Sequence, residues 1–116
     1  MNIWGTAKRY KNGNITVKFS PDDIASIRTG RVSDIEILSY ILESVDCYFV
    51  GDNFCLSNYD MGCLIYSAYS DKMFILAFSD LENILMSGKT LRLYARTPDE
   101  TDRELLANEG FGENSA

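Results

Sequence analysis

The chain reads as a single α+β domain: a mainly antiparallel β-sheet, built from a hairpin and a meander, with three to four short helices packed on it. Three observations lead there. The 116 residues are 46% apolar and 24% charged, ordinary usage for a folded domain with a core of its own. Runs of β-branched and aromatic residues are joined by connections too short for parallel crossovers. Between them lie helix-start signals followed by apolar residues at helical spacing.

The first strand is expected over residues 3–10 and the second over residues 15–19, where Ile15, Val17 and Phe19 alternate with Thr16 and Lys18 and so give one buried and one wet face. Lys11-Asn12-Gly13-Asn14 joins them as a hairpin loop, with Asn-Gly suited to a type I′ turn. Ser20-Pro21-Asp22-Asp23 starts a short helix that Gly30 ends, the proline at the first helical position and the aspartates favoured by the helix dipole. Ser33 and Glu36 form a capping box ahead of Ile35, Leu38, Ile41, Leu42 and Val45, an amphipathic helix.

Three or four strands are expected next, over residues 47–50, a short one near 54–56, 63–69 and 73–78, with Gly51-Asp52-Asn53 separating the first two. Ser79 and Glu82 repeat the capping box before Leu81, Ile84 and Leu85, and Gly88 closes that helix. Residues 90–95 make a last strand. Thr97-Pro98-Asp99-Glu100 opens a final helix with Leu105 and Leu106 as its apolar residues. The domain is placed at residues 1–108 and a flexible tail at residues 109–116.

Charge is segregated along the chain. Residues 32–87 hold nine carboxylates and one cation, Lys72, whereas residues 1–31 hold Lys8, Arg9, Lys11, Lys18, Arg28 and Arg31 against Asp22 and Asp23. Blocks of this kind speak to partners more than to fold. On the helix after Ser33, a 100° wheel gathers Glu36, Tyr40 and Glu43 in one polar sector, and Asp46, Asp52, Asp60 and Asp71 fall at strand ends and turns among Tyr48, Tyr59, Tyr66 and Tyr69. Tyr40 and Tyr59 are the tyrosines expected to be exposed.

Chemistry is scarce. There is no histidine, which rules out Ser-His-Asp and Cys-His arrangements and the usual neutral-pH base. The carboxylate pairs Asp99 with Glu100 and Asp102 with Glu104 read as a dipole-favoured first helical turn, not as an acid–base pair. Cys47, Cys55 and Cys63 lack the Cys-x-x-Cys knuckles of a zinc site and read as core packing; their odd number argues against a disulfide framework. Gly88-Lys89-Thr90 has the end of a phosphate-binding loop, but Asn83 stands where that loop needs glycine and the order runs helix to strand. No catalytic residue, metal or cofactor is therefore expected, and the chain is not expected to be an enzyme.

No apolar run approaches a membrane span and the N-terminus lacks the pattern of a secretory signal, so a cytoplasmic location without membrane contact is expected. The basic hairpin suggests nucleic acid locally, but the net charge of −6 and pI near 4.5 lead to the expectation of no direct nucleic-acid binding. In size, acidity and absence of chemistry the chain resembles the small acidic inhibitors that phages and mobile elements direct against CRISPR or restriction nucleases, and the immunity proteins of toxin nucleases. That resemblance carries no motif and transfers no residue. The function expected is inhibition of a nucleic-acid-handling enzyme by covering a basic surface, with Glu36, Tyr40, Glu43, Asp46, Asp52, Tyr59 and Asp60 as partner-binding residues. The alternative is a self-associating subunit, a homodimer for instance, whose basic hairpin docks on the acidic middle of a second copy.

Overall fold

The computed structural model of the chain describes residues 4–20, 34–55 and 61–111. They form an α+β fold of two antiparallel three-stranded sheets and three helices. The expected helix over residues 20–30 and the Ser33 end of the first capping box lie outside the described residues.

The hairpin pairs β1, Gly5–Arg9, with β2, Ile15–Phe19. Its loop is not the expected type I′ turn. The Gly13 N–H donates to the Tyr10 carbonyl at 2.9 Å and the Tyr10 N–H to the Asn14 carbonyl at 2.9 Å, while Gly13 alone in the loop has positive φ, at 94°. A type I turn followed by a left-handed glycine closes a three-residue loop with a bulge, and asparagine is spared the left-handed conformation.

Helix α1, Asp34–Glu43, and then β3, Cys47–Cys55, β4, Met61–Ser67, and β5, Lys72–Ala77, follow. The expected gap in β3 is a bulge within one strand. Val50 pairs with Leu64 and Phe54 with Gly62, so four steps on β3 face two on β4. Gly51 sits there at φ 74°, and a Cβ on it would stand 3.1 Å from a Leu105 methyl carbon, so both backbone and packing select glycine.

Helix α2, Phe78–Ser87, follows β5 directly, with Ala77 as its N-cap and no side-chain cap hydrogen bond. The Ser79–Glu82 capping box is thereby corrected: the apolar residues of β5 run straight into the helix, which places Ser79 inside the first turn. Gly88 closes the helix at φ 71°, its N–H donating to the Ile84 carbonyl. Strand β6, Leu91–Leu93, and helix α3, Glu100–Asn108, complete the fold.

The single sheet expected from hairpin and meander is two sheets, in the orders β1-β2-β6 and β3-β4-β5. The short β6 returns to pair with β2, setting Leu93 opposite Ile15 and Leu91 opposite Val17. A bridge between Met73 and Arg96 joins the sheets, with bonds of 2.8 and 2.9 Å.

The main core lies between them. Ile15, Val17, Phe19, Leu91 and Leu93 meet Ile37, Leu38, Ile41 and Leu42 of α1, Leu81 of α2, and Cys47, Cys63, Ile65, Phe74 and Leu76 of the meander. The opposite face of the meander carries Val50, Tyr66 and Met73 and is covered by Leu105, Leu106 and Phe111. Coverage on both faces explains why β4 is buried almost without alternation. Glu109 to Phe111, read as the start of a loose tail, instead folds back: the Phe111 N–H donates to the Leu106 carbonyl at 2.8 Å, and its ring lies 5.7 Å from Tyr48 and 5.4 Å from Tyr66. Residues 112–116 lie outside the described residues. No helix among the described residues is long and apolar enough to cross a membrane.

Candidate binding surfaces

Helix α1 buries Ile37, Leu38, Ile41 and Leu42 completely. Two adjacent pairs one turn apart define its inner side, and Ile37 joins the expected apolar stripe, at whose edges Ile35 and Val45 pack partly buried. The outer side carries Glu36, Tyr40 and Glu43, all exposed. Tyr40 keeps half its surface in solvent while its ring meets that of Trp4 at 5.2 Å, a contact that limits its rotation.

Asp46 extends this acidic side past the end of the helix. Its N–H donates to the Glu43 carbonyl at 3.1 Å, its φ is 58°, and its carboxylate accepts the Tyr48 hydroxyl at 2.7 Å. That bond pushes the Tyr48 hydroxyl above its usual pKa, with burial adding to it, because ionisation would set phenolate against carboxylate. Glu36, Tyr40 and Glu43 thus share the outer side of α1, and Asp46 follows its last turn. Asp52, Tyr59 and Asp60 are not added to them, since the side chain of Asp52 and the whole of Tyr59 and Asp60 lie outside the described residues.

Asp71 is acidic in sequence and structural in the fold. Both its carboxylate oxygens accept from Arg103, at 2.8 and 2.7 Å, and the Tyr66 hydroxyl donates to it at 2.7 Å. The Arg103 bonds hold the Asp71 carboxyl below the usual carboxylate range. Burial, reinforced by Asp71, pushes the Tyr66 hydroxyl up to about 12. Of the other tyrosines in the acidic middle, Tyr66 is core, Tyr48 is half-buried, and Tyr69 is largely exposed beneath the Arg9 guanidinium, 4.3 Å from the ring.

One carboxylate of each pair at the start of α3 has structural work. Asp99 is the N-cap and forms a capping box with Asp102, which is buried and bonded to Arg96 at 3.0 Å. Cys47 and Cys63 are buried free thiols. Burial raises both, Cys63 to about 12, which disfavours the reactive thiolate. Among the described residues no group of three or more Cys, Asp or Glu is arranged to hold a metal ion.

A second charged surface builds on the basic hairpin expected from the sequence and adds β6, whose place beside β2 the sequence reading did not foresee. Strand alternation turns Thr6 and Lys8 of β1, Thr16 and Lys18 of β2, and Arg92 of β6 to the outer face of the first sheet. Tyr10 and Tyr94 continue the two edge strands and are 42% and 68% exposed. The signal was present in Leu91-Arg92-Leu93-Tyr94, whose alternation marks a polar face bearing a cation and an aromatic ring. No protein-family model matches the chain, and no curated protein or solved structure matches it either.

Proposed function

We propose that this chain is a non-enzymatic binding protein that covers a basic surface of a nucleic-acid-handling enzyme with the outer side of α1, in the manner of a mobile-element inhibitor of CRISPR or restriction nucleases or of a toxin-immunity protein. The observation that carries the reading is the exposure of Glu36, Tyr40 and Glu43 on the outer side of α1, with Asp46 just past its end. Carboxylates on a rigid helix steer a cationic partner into register, and a tyrosine already held against Trp4 offers contact area at little entropic cost. Asp71 takes no part, because Arg103 already occupies both its oxygens.

The test is capture with the full chain as bait, beside a Glu36→Lys, Glu43→Lys variant, followed by association kinetics on the retained enzyme. Charge reversal should slow association by about tenfold or more at low ionic strength, and the wild-type chain should block the enzyme's action on nucleic acid. Equal association rates for the two chains, insensitive to salt, would remove α1 as the docking side.

A second reading is favoured by one observation. The basic sheet face and the acidic helix side lie on opposite sides of the main core, so one copy's sheet face can meet the next copy's α1. Such a head-to-tail contact builds open chains or rings, and sedimentation of the chain alone would reveal it as salt-sensitive growth in mass.

A further inference from the structure

The outer face of the β1-β2-β6 sheet contains a groove of about 550 Å³ beside the hairpin loop, lined by Tyr10, Lys11, Asn12, Asn14, Arg92 and Tyr94 among others. None of the residues lining it is acidic. Lys8 and Arg92 flank Thr16 in one row across the three strands, since Thr16 pairs with Lys8 on one side and with Arg92 on the other. In the next row toward the loop, Tyr10 and Tyr94 flank Asn14.

The floor of this groove is fixed. The Asn14 side-chain oxygen accepts the Ala95 N–H at 2.8 Å, and the Asn14 N–H donates to the Asn12 side chain at 3.0 Å. The strand of Tyr94 is thereby tied to the loop that follows Tyr10. Two interstrand steps separate the tyrosines, about 10 Å, and Lys8 Nζ lies 5.0 Å from the Tyr10 ring centroid.

We propose that this groove binds single-stranded nucleic acid, with Tyr10 and Tyr94 stacking on unpaired bases and Lys8, Lys11, Lys18 and Arg92 contacting the phosphates. Exposed aromatic rings on a sheet, flanked by cations, suit a strand whose bases are free to stack. A small inorganic anion would leave both tyrosines unused, and a duplex would keep its base faces from them. The net charge of −6 does not decide the matter at this face. The carboxylates of α1 stand beyond the core and a helix about 10 Å across, farther than the screening length of about 8 Å at physiological ionic strength.

The experiment is fluorescence anisotropy of labelled oligo-dT and oligo-U of about 12 nucleotides, titrated with the full chain between about 50 and 200 mM salt. Three or four phosphate contacts predict a slope of log affinity against log salt of about −2 to −3, and Arg92→Gln should reduce its magnitude by about 0.7. Tyr94→Ala, at an exposed position, should weaken binding about tenfold or more while leaving the circular dichroism spectrum and melting temperature unchanged. Glu43→Gln should leave the affinity within about twofold of wild type, which separates this site from the α1 surface. No binding at about 50 mM salt, full affinity in Tyr94→Ala, or tighter binding of the matching duplex would each overturn the proposal. So would growth in mass of the chain alone that Arg92→Glu abolishes, because the face would then belong to a second copy.

Discussion

Asp102 is nearly inaccessible to solvent, yet it carries the start of α3. One of its oxygens accepts the Asp99 N–H at 3.0 Å and the other accepts Arg96 Nη2 at 3.0 Å, while its own N–H donates to Asp99 at 2.8 Å. Asp102→Ala removes one arm of a capping box, about 1 kcal/mol, and a charge-assisted hydrogen bond worth about 1.5–3 kcal/mol. Arg96 already has a buried Nε without a partner, but its side chain is 39% exposed, so water recovers part of the second term. The expected loss is about 2–3 kcal/mol, a large fraction of the roughly 6–15 kcal/mol typical of a domain this size. Urea unfolding followed by circular dichroism measures it, with an unchanged slope showing that only stability moved. Asp102→Asn, which keeps an acceptor for the Asp99 N–H, should lose about half as much. A double-mutant cycle with Arg96→Met should give a coupling of about 1 kcal/mol or more. A loss below about 0.5 kcal/mol in Asp102→Ala, or no coupling to Arg96, would refute the role assigned to this carboxylate.

Two further perturbations test the frame around the binding surfaces. A Cβ at residue 5 would stand 2.4 Å from the Lys18 carbonyl oxygen, so Gly5→Ala should push β1 off β2 at a cost of about 3 kcal/mol; hydrogen exchange should show lost protection in both strands, and undiminished protection would contradict the close approach. The depressed Asp71 carboxyl adds stability above the unfolded carboxylate range near pH 4, and that stability is lost as pH falls through the folded value. The urea midpoints of wild type and Asp71→Asn should therefore converge as pH falls from 7 to about 3. Both Asp71 and Arg103 are about half exposed, so the gap at neutral pH should be small; one that persists unchanged in acid would argue against the ion pair. Asparagine is the suitable replacement because residue 71 has φ 56°, which asparagine tolerates.

What the sequence reveals here follows from the range of the interactions involved. Helix α1 was legible because Leu38, Ile41 and Leu42 report its buried side within a few residues, and the hairpin was legible because Ile15, Val17 and Phe19 alternate. The split into two sheets was not, since it depends on Leu91 and Leu93 crossing most of the chain to meet Val17 and Ile15. The structural role of Asp71 was not legible for the same reason: its neutralising partner, Arg103, is 32 residues away. Local context alone also made Gly51 resemble a break between strands, whereas the glycine accommodates Leu105 of a helix that comes much later. For the candidate surfaces, the helical sector of Glu36, Tyr40 and Glu43 was legible from a wheel. The basic face needed the pairing of β2 with β6 before Arg92 and Tyr94 could be placed beside Lys8 and Tyr10.

The segregation of charge along the chain becomes a segregation between layers. Lys8 and Lys18 of the basic opening block lie on a hairpin whose inner side is filled by Ile15, Val17 and Phe19, so they can only face outward. Helix α1 buries Ile37, Leu38, Ile41 and Leu42 in the same core, which sends Glu36 and Glu43 the other way. Neither face can turn inward without moving the apolar residues that alternate with it, because strand and helix periodicity couple the two sets. Salt should therefore weaken contacts at both faces while leaving the fold between them intact, since burial of the shared core is not screened as exposed charges are. Loss of both proposed binding activities at high ionic strength with no change in the unfolding midpoint would display that separation directly.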